Sequence, residues 1–461
     1  MPAAVVVCPM SRAADPRGSG PAKGRQRNAE AAARSLATVL DLVRTGQAAT
    51  RQEIERASEL GRAIVADRLG TLLELGLVDE SELGAATGGR APRLVRFEKD
   101  AARILVATLD QTAIGVALAD LSGNLLIEHH EAIDLADPPD ATVDRLAALF
   151  DWLLEKDQHS RPVWGIGISM PGPVQAPPGK RYLSLTPPLL PGWEGYPFVE
   201  TLLARFGAPV WLRSSVETMA VGELAEGSPN RTTEMLFIKV GKRIGAGLVL
   251  HGRLYRGADG AAGLIGQLPV ELGGRRGSLD ALAGSDNIAR EGHAAAEDGR
   301  SPALSDILHR AGEVTAIDVG QAAQMGDPIS MEIMSQSGRM IGHVVASLTS
   351  LLNPSLIVLS GSIAQTNDIL LAAVREAVYR ESHPLVTRDL RIGASQLGSS
   401  AGLLGAALVV VEELFDPEAL RSWVIRGTPV ESPDFVESLA HARKVLGGAR
   451  IHDQRDVRAR T

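Results

Sequence analysis

Between residues 29 and 97 the apolar positions recur first at helical and then at strand spacing. Leu36, Val39, Leu40 and Val43 fall on one face of a helix beginning at Ala29, which Gly46 can terminate. Thr50-Arg-Gln-Glu53 reads as a capping box that opens a second, short helix through Ala57. After Ser58-Glu-Leu-Gly61 a third helix runs from about Arg62 to Leu75, with Val65, Leu69, Leu72 and Leu73 available for a core and Gly76 as its stop. Leu77-Val-Asp79 then starts a strand, Gly84–Gly89 makes a turn, and Arg93–Phe97 returns. From about residue 100 to 425 strand and helix signals alternate. Ile104–Leu109, Gly115–Leu121 and Leu125–His130 look like successive strands, followed by an amphipathic helix over Ala141–Leu154 and a buried strand at Val163–Ile168. Met235–Val240 and Ala246–His251 predict a Gly-bounded hairpin, and Leu356–Leu359 a buried strand between helices. That rhythm means α/β layering. Residues 1–28 lack periodicity and read as a flexible basic tail. Beyond Arg426 the chain turns polar, giving a loose tail over 426–461 with a short helix near Phe435–Leu446.

Composition narrows the class. At 461 residues the chain exceeds one ordinary core, and 45% apolar content is that of a soluble globular protein. No apolar run is long enough for a membrane span, and no signal-peptide pattern precedes Cys8, so a cytoplasmic protein without a membrane partner is expected. Cys8 is the only cysteine, which excludes an internal disulfide and a cysteine-based zinc site. The net charge of −8 is unevenly spread. Residues 1–98 hold 14 Lys and Arg against 12 Asp and Glu, leaving the excess of acid to the remainder. A basic end on an acidic body is compatible with nucleic-acid binding through that end, although a solvated charged face looks the same.

Three helices followed by a two-stranded wing is a winged helix-turn-helix pattern, in which the third helix can enter a major groove. Its N-terminal residues Arg62, Ala63, Val65 and Ala66, with Arg68 further along, are the candidates to face bases. Thr50 and Arg51, which open the preceding helix, are further candidates to contact DNA. At the wing, Thr87-Gly-Gly-Arg-Ala-Pro-Arg93 sets Arg90 and Arg93 beside glycines that let backbone approach phosphate or a minor groove. The plainer alternative is a small helical domain with solvated arginines and an ordinary Gly-Gly hairpin.

The arrangement resembles the ROK family (repressors, open reading frames, kinases), specifically its transcriptional-regulator branch, over roughly residues 29–425. Leu60-Gly-Arg-Ala-Ile-Val65 is similar to the start of the family's recognition helix, and Thr87-Gly-Gly-Arg-Ala-Pro92 to its wing motif. The body matches at Gly165-Ile-Gly-Ile-Ser-Met-Pro-Gly-Pro-Val174, Leu190-Pro-Gly-Trp193, Ile244-Gly-Ala-Gly-Leu248 and His251-Gly-Arg-Leu-Tyr-Arg-Gly257. It matches again at Asn353-Pro-Ser-Leu-Ile-Val-Leu-Ser-Gly361 and Ala401-Gly-Leu-Leu-Gly-Ala-Ala407. The resemblance implies an N-terminal winged helix-turn-helix on a two-lobed, actin-like ATPase body of the sugar-kinase type.

The chemical residues of that family are where the match fails. Kinases of the fold use D-x-G-G-T in the first hairpin, where glycine amides approach phosphates and the Asp serves the metal. An ungapped alignment from Asp120-Leu-Ser-Gly123 puts Thr108 at that Asp, with Asp110 and Gln111 at the glycines. A gap that restores Asp110 still leaves Gln111 and Thr112 next. The second phosphate turn becomes Gly241-Lys-Arg-Ile-Gly245, and E-N-D-A-N becomes Arg213-Ser-Ser-Val-Glu217. Ser215 therefore stands where a general base would take the sugar hydroxyl proton, which serine cannot do unaided near neutral pH. The hexose motif A-G-E-x-G-H becomes Ala262-Gly-Leu-Ile-Gly-Gln267, and the three-cysteine zinc loop becomes Glu271–Ser278. Trp193 reads as a packing residue. The expectation is a repressor-type regulator without kinase turnover, cofactor or metal. It would bind double-stranded DNA at an inverted-repeat operator as a homodimer or tetramer assembled by the body. A small sugar-like effector, or no effector at all, both stay open. The competing reading is an ATP-dependent sugar kinase carrying a DNA-binding domain.

Overall fold

In the computed structural model, residues 21–84, 91–172, 174, 193, 195–227 and 232–459 are described. The chain divides into two compact units. One comprises the residues up to Glu98 together with Phe415–Pro429, the other Lys99–Leu414 with the residues from Val430 onward.

The first unit is built on helices α1 (Pro21–Arg44), α2 (Arg51–Ser58) and α3 (Arg62–Glu74), followed by β1 (Val78–Asp79) antiparallel to β2 (Arg96–Phe97). Helix α1 begins at Pro21, so the helix takes up part of what composition assigns to a tail over 1–28. The core comes from the predicted positions. Leu36, Val39, Leu40 and Val43 of α1, Ile54 of α2, and Val65, Leu69 and Leu72 of α3 are all buried. Gly46 and Gly76 stop α1 and α3 in the left-handed conformation that glycine adopts without strain. Thr50 caps α2 by accepting from the Glu53 amide at 3.3 Å, while the Glu53 carboxylate reaches back to the Ala49 amide at 2.9 Å.

A stretch read from sequence as body and tail joins this unit. Leu420 and Trp423, in the helix Pro417–Trp423, are buried. Phe415 meets Phe97 edge-on at 6.0 Å, and Arg421 lies 3.8 Å from Glu30 of α1.

The second unit repeats one topology twice. In its first lobe run β3 (Arg103–Leu109), β4 (Ala113–Ala119), β5 (Leu125–Ala132), α4 (Pro139–Lys156), β6 (Val163–Met170), α5 (Phe198–Phe206) and β7 (Val210–Ser214). The sheet order is β5-β4-β3-β6-β7, antiparallel through the meander and parallel beyond β3. Helix α6 (Ser215–Gly222) leads into the second lobe, which opens with β8 (Met235–Val240), β9 (Ile244–Leu250) and β10 (Arg253–Tyr255). A hairpin, β11 (Pro269–Leu272) with β12 (Arg275–Ser278), precedes helices α7 (Leu279–Ala283), α8 (Ser285–Glu297), α9 (Pro302–Ala311), α10 (Ala316–Gln324) and α11 (Pro328–Leu352). Then come β13 (Leu356–Ser360), α12 (Ser362–Thr366), α13 (Asp368–Glu381), α14 (Pro384–Thr387) and β14 (Arg391–Ala394). The second sheet runs β10-β9-β8-β13-β14, the same meander-plus-parallel order as the first.

Helices α15 (Ser400–Phe415), α16 (Pro417–Trp423) and α17 (Pro433–Ala459) complete the chain. The polar C-terminal stretch is thus not a loose tail. Phe435 and Ala442 are buried, with Leu439 half-buried between them, and all three join the first-lobe core. That spacing is one helical face on an otherwise polar helix. Among the described residues, no helix is long and apolar enough to cross a membrane.

Alternation along β6 explains one of the matching motifs. Ile166 and Ile168 enter the first-lobe core, whereas Gly165 and Gly167 face α15. A Cβ at Gly167 would lie 2.6 Å from the Ala406 carbonyl oxygen. Helices α6 and α15 approach closer still. A Cβ at Gly222 would lie 2.2 Å from the Ala401 oxygen, and one at Gly405 1.7 Å from the Thr218 oxygen.

Candidate functional site

The third helix presents a thin face to solvent. Arg62, Ala63 and Ala66 are exposed, and a Cβ at Gly70 would meet nothing within 4 Å. These four positions fall within about 100° of arc at 100° per residue. Arg62 is the long cation among them and has no hydrogen bond or ion pair to a described residue. Sequence reasoning overlooked Ile64, a helix-interior residue that is 42% exposed. It also overlooked Arg56, exposed in the last turn of α2 on the side away from Ile54.

Several predicted contacts are committed elsewhere. Val65 is 1% exposed and belongs to the core, so it cannot face bases. The Arg68 guanidinium donates to Ser35 of α1 at 2.8 Å and pairs with Asp67, which ties α3 to α1 instead of freeing the side chain for a groove. Arg51 forms a two-pronged pair with Glu80 at 2.7 and 2.6 Å, and these hydrogen bonds hold its pKa above the ordinary value. The Thr50 hydroxyl serves as the α2 cap. Arg93 is exposed next to the wing, where its backbone bridges to Leu83. Arg90 lies outside the described residues.

In the body, the residues aligned with kinase chemistry make contacts of another kind. Ser214 and Glu217 close a reciprocal cap on α6, with the Glu217 carboxylate accepting from the Ser214 amide at 2.9 Å. Glu217 also accepts from Arg256 Nε. Behind them Arg213, half-buried, pairs with Glu413. Desolvation, then the charge of Arg256, lowers its pKa, opposed by the Glu413 carboxylate. Ser215, the first residue of α6, accepts from Lys239 Nζ at 3.1 Å. The same ammonium donates to Asp110 Oδ2 at 3.4 Å, while Asp110 Oδ1 accepts from the Gln111 amide at 2.7 Å.

Asp110 and Ser215 are therefore brought together, with Lys239 between them. Sequence reasoning did not single out Lys239. The available signal was a lone charge inside the apolar strand Met235–Val240. Gln267, where the hexose motif has His, donates to the buried Asp280 at 2.9 Å, and Asp280 also accepts from the Ile244 amide at 2.7 Å. Leu264 is exposed. The Glu271–Ser278 segment is a hairpin turned at Gly273-Gly274, and with neither Cys nor His it does not fit the ligand set of a zinc loop. Trp193 is buried against Phe198 and Tyr196.

A twice-repeated meander-plus-parallel sheet with a winged helix-turn-helix module at its N-terminal side defines the class: a DNA-binding-type module on a two-lobed, sugar-kinase-like body. The chain belongs to the ROK family, whose sequence profile matches residues 108–413. It is 24% identical over 395 residues to the xylose repressor of Caldicellulosiruptor bescii, covering 82% of this chain and 94% of that protein. The crystal structure of a ROK family transcriptional regulator homologous to the Escherichia coli MLC protein covers 87% of this chain and 100% of its own, with TM-score 0.71 and 23% identity. A ROK family glucokinase from Streptomyces griseus, solved with glucose and AMPPNP, covers 67% of this chain and 99% of its own, with TM-score 0.56 and 23% identity.

Proposed function

We propose that this chain is a cytoplasmic DNA-binding transcriptional repressor of the ROK type, whose body pairs two copies and does not turn over ATP. The observation that carries this is the recognition helix α3, with Arg62 unpaired among the described residues and flanked by the small residues Ala63, Ala66 and Gly70. Side chains that short let a helix lie close to base edges, and an arginine can read guanine with two hydrogen bonds. Arg90 and Arg93 would hold phosphates. The absence of turnover rests on Ser215, whose hydroxyl already accepts from Lys239 where a base is required.

A single winged helix covers one half-site, so a two-fold pair should select an inverted repeat with half-sites about 34–36 Å apart or a multiple of it. The related xylose repressors make a pentose the first effector to try. The test is selection of genomic fragments by the full-length protein, with and without xylose. Arg62→Ala should lose about 1–3 kcal/mol of preference for the selected site. Arg90→Ala and Arg93→Ala should weaken binding evenly and flatten its salt dependence by roughly 0.9 in slope per phosphate contact. A native protein that selects no motif and shows no salt-sensitive DNA binding refutes the reading, and a motif without dyad symmetry refutes the pairing.

A further inference from the structure

Helix α3 divides its circumference between two duties. Val65, Leu69 and Leu72 are at most 1% exposed, and at about 100° per residue they form one narrow stripe. The opposite side of the helix is centred near Ala63, which is exposed. Arg62 and Ile64 stand about 100° to either side of Ala63, and both are exposed in the first turn. A small residue between two longer ones lets a helix settle on the floor of a groove with one side chain reaching along each flank.

The surroundings of Ile64 leave it uncovered. Gly61, three residues before it, is the N-cap and brings no side chain, and a Cβ there would meet nothing within 4 Å. Asp67 and Arg68, three and four residues after it, pair with each other, and Arg68 also donates to Ser35 of α1. Single exposed apolar residues are common on surfaces. This one is set apart by its place, in the first turn of the helix that also exposes a cation and two alanines.

Size and charge select what covers it. A protein partner needs a contiguous apolar patch of hundreds of Å², whereas the exposed neighbours of Ile64 on α3 are Arg62, Ala63, Ala66 and Asp67. Nucleic acid suits the cation and the first turn of α3, which holds no acid. The major groove displays one apolar group, the C5 methyl of thymine. We infer that Ile64 is a specificity-determining residue of α3, covering the C5 methyl of one thymine in each half-site. A helix with its side chains is about 10–12 Å across and a base-pair step about 3.4 Å. With Arg62 and Ile64 on opposite flanks, that thymine lies within about three base pairs of the guanine that Arg62 reads. The inference deepens the regulator reading and rests on it.

The test uses the full-length protein and the operator it selects, in fluorescence-anisotropy titrations at fixed salt. Each thymine of the half-site is replaced in turn by uracil, which removes the methyl and keeps the hydrogen-bonding edge. Native protein should lose roughly three- to tenfold in affinity at one such position. Ile64→Ala should bind the thymine operator more weakly by a similar factor and no longer distinguish thymine from uracil there. Its melting temperature should not fall, because the side chain lies outside the core and alanine is the better helix former. Ile64→Val should keep part of the thymine preference. Native protein indifferent to uracil at every position overturns the inference, as does a uracil penalty of equal size in Ile64→Ala. An Ile64→Ala protein that loses affinity together with its oligomeric state also overturns it, and assigns the side chain to a contact between copies. A protein that selects no operator refutes the regulator reading and this inference with it. A selected operator without the Ile64-dependent methyl effect removes the inference alone.

Discussion

The crossing of α6 and α15 allows a sharp test of the body's architecture through Gly405→Ala. Away from any contact, the change should stabilise a helix interior by about 1 kcal/mol. Here the new methyl group would lie 1.7 Å from the Thr218 carbonyl oxygen, 2.5 Å from its carbon and 3.0 Å from the Gly222 nitrogen. An ordinary contact needs about 3.5 Å, and every atom struck is backbone, so no rotamer change can relieve the clash. The helices must part by over an ångström, and the loss of packing around Thr218 and Ala401 comes with it. Overpacking usually costs about 1–3 kcal/mol when side chains can yield. With backbone on both sides, a net loss of about 2–4 kcal/mol is expected after the propensity gain is subtracted. For a body of this size that lowers the melting temperature by roughly 4–8 °C, at about 2 °C per kcal/mol.

The matched control is Gly447→Ala in α17, where a Cβ would meet nothing within 4 Å. It should leave stability unchanged or raise it by up to about 1 kcal/mol. Calorimetry on the two variants and the native chain compares them directly. If Gly405→Ala melts no lower than Gly447→Ala, the two helices do not pack backbone to backbone and the argument is wrong.

Other outcomes follow from the same geometry. Arg68→Ala should lower the melting temperature through the lost Ser35 tie while keeping the preference for the selected site, the reverse of Arg62→Ala. Parallel melts and binding titrations separate the two. Ser215→Asp should not restore hexose-dependent ATP consumption, because Lys239 would pair with the new carboxylate; an ADP-release assay with glucose and xylose reports this. The Arg145 fork, and after burial's opposing effect His129, holds Glu131 at about 2, below its ordinary 4.5. Its contribution is thus present above about pH 4.5 and lost as pH falls toward 2. As a surface pair it is worth less than about 1 kcal/mol, so Glu131→Gln should flatten the acid limb of the melting-temperature profile without moving the neutral plateau by more than a degree or two.

The helices of the DNA module were legible because their signals are local. Thr50, Gly46 and Gly76 act within a turn of where they stand, and the Leu36–Val43 stripe states its own face. Which arginines remain free was not legible. Arg62, Arg68 and Arg51 look alike in sequence, and what separates them is Ser35 and Glu80, residues distant in the chain that the fold brings close. Lys239 was missed for the same reason, since its partners Asp110 and Ser215 come from other elements. The duplicated sheet order was not legible because topology can recur without a fixed sequence period. The C-terminal helix was underestimated because Phe435, Leu439 and Ala442 are three apolar residues in a polar run, and mean polarity hides a narrow stripe.

The excursion of Phe415–Pro429 into the N-terminal unit changes how the protein can be taken apart. The chain passes between the units three times, after Glu98, after Leu414 and before Val430. A recognition cassette excised at Glu98 would leave behind Phe415, Leu420 and Trp423, and so arrive in any chimaera with part of its own hydrophobic interior missing. Swapping operator specificity between relatives therefore requires grafting two separated segments, or confining the exchange to the exposed positions of α3. Interruption by a flexible linker at Glu98 would likewise not set the module free, because two further covalent tethers remain.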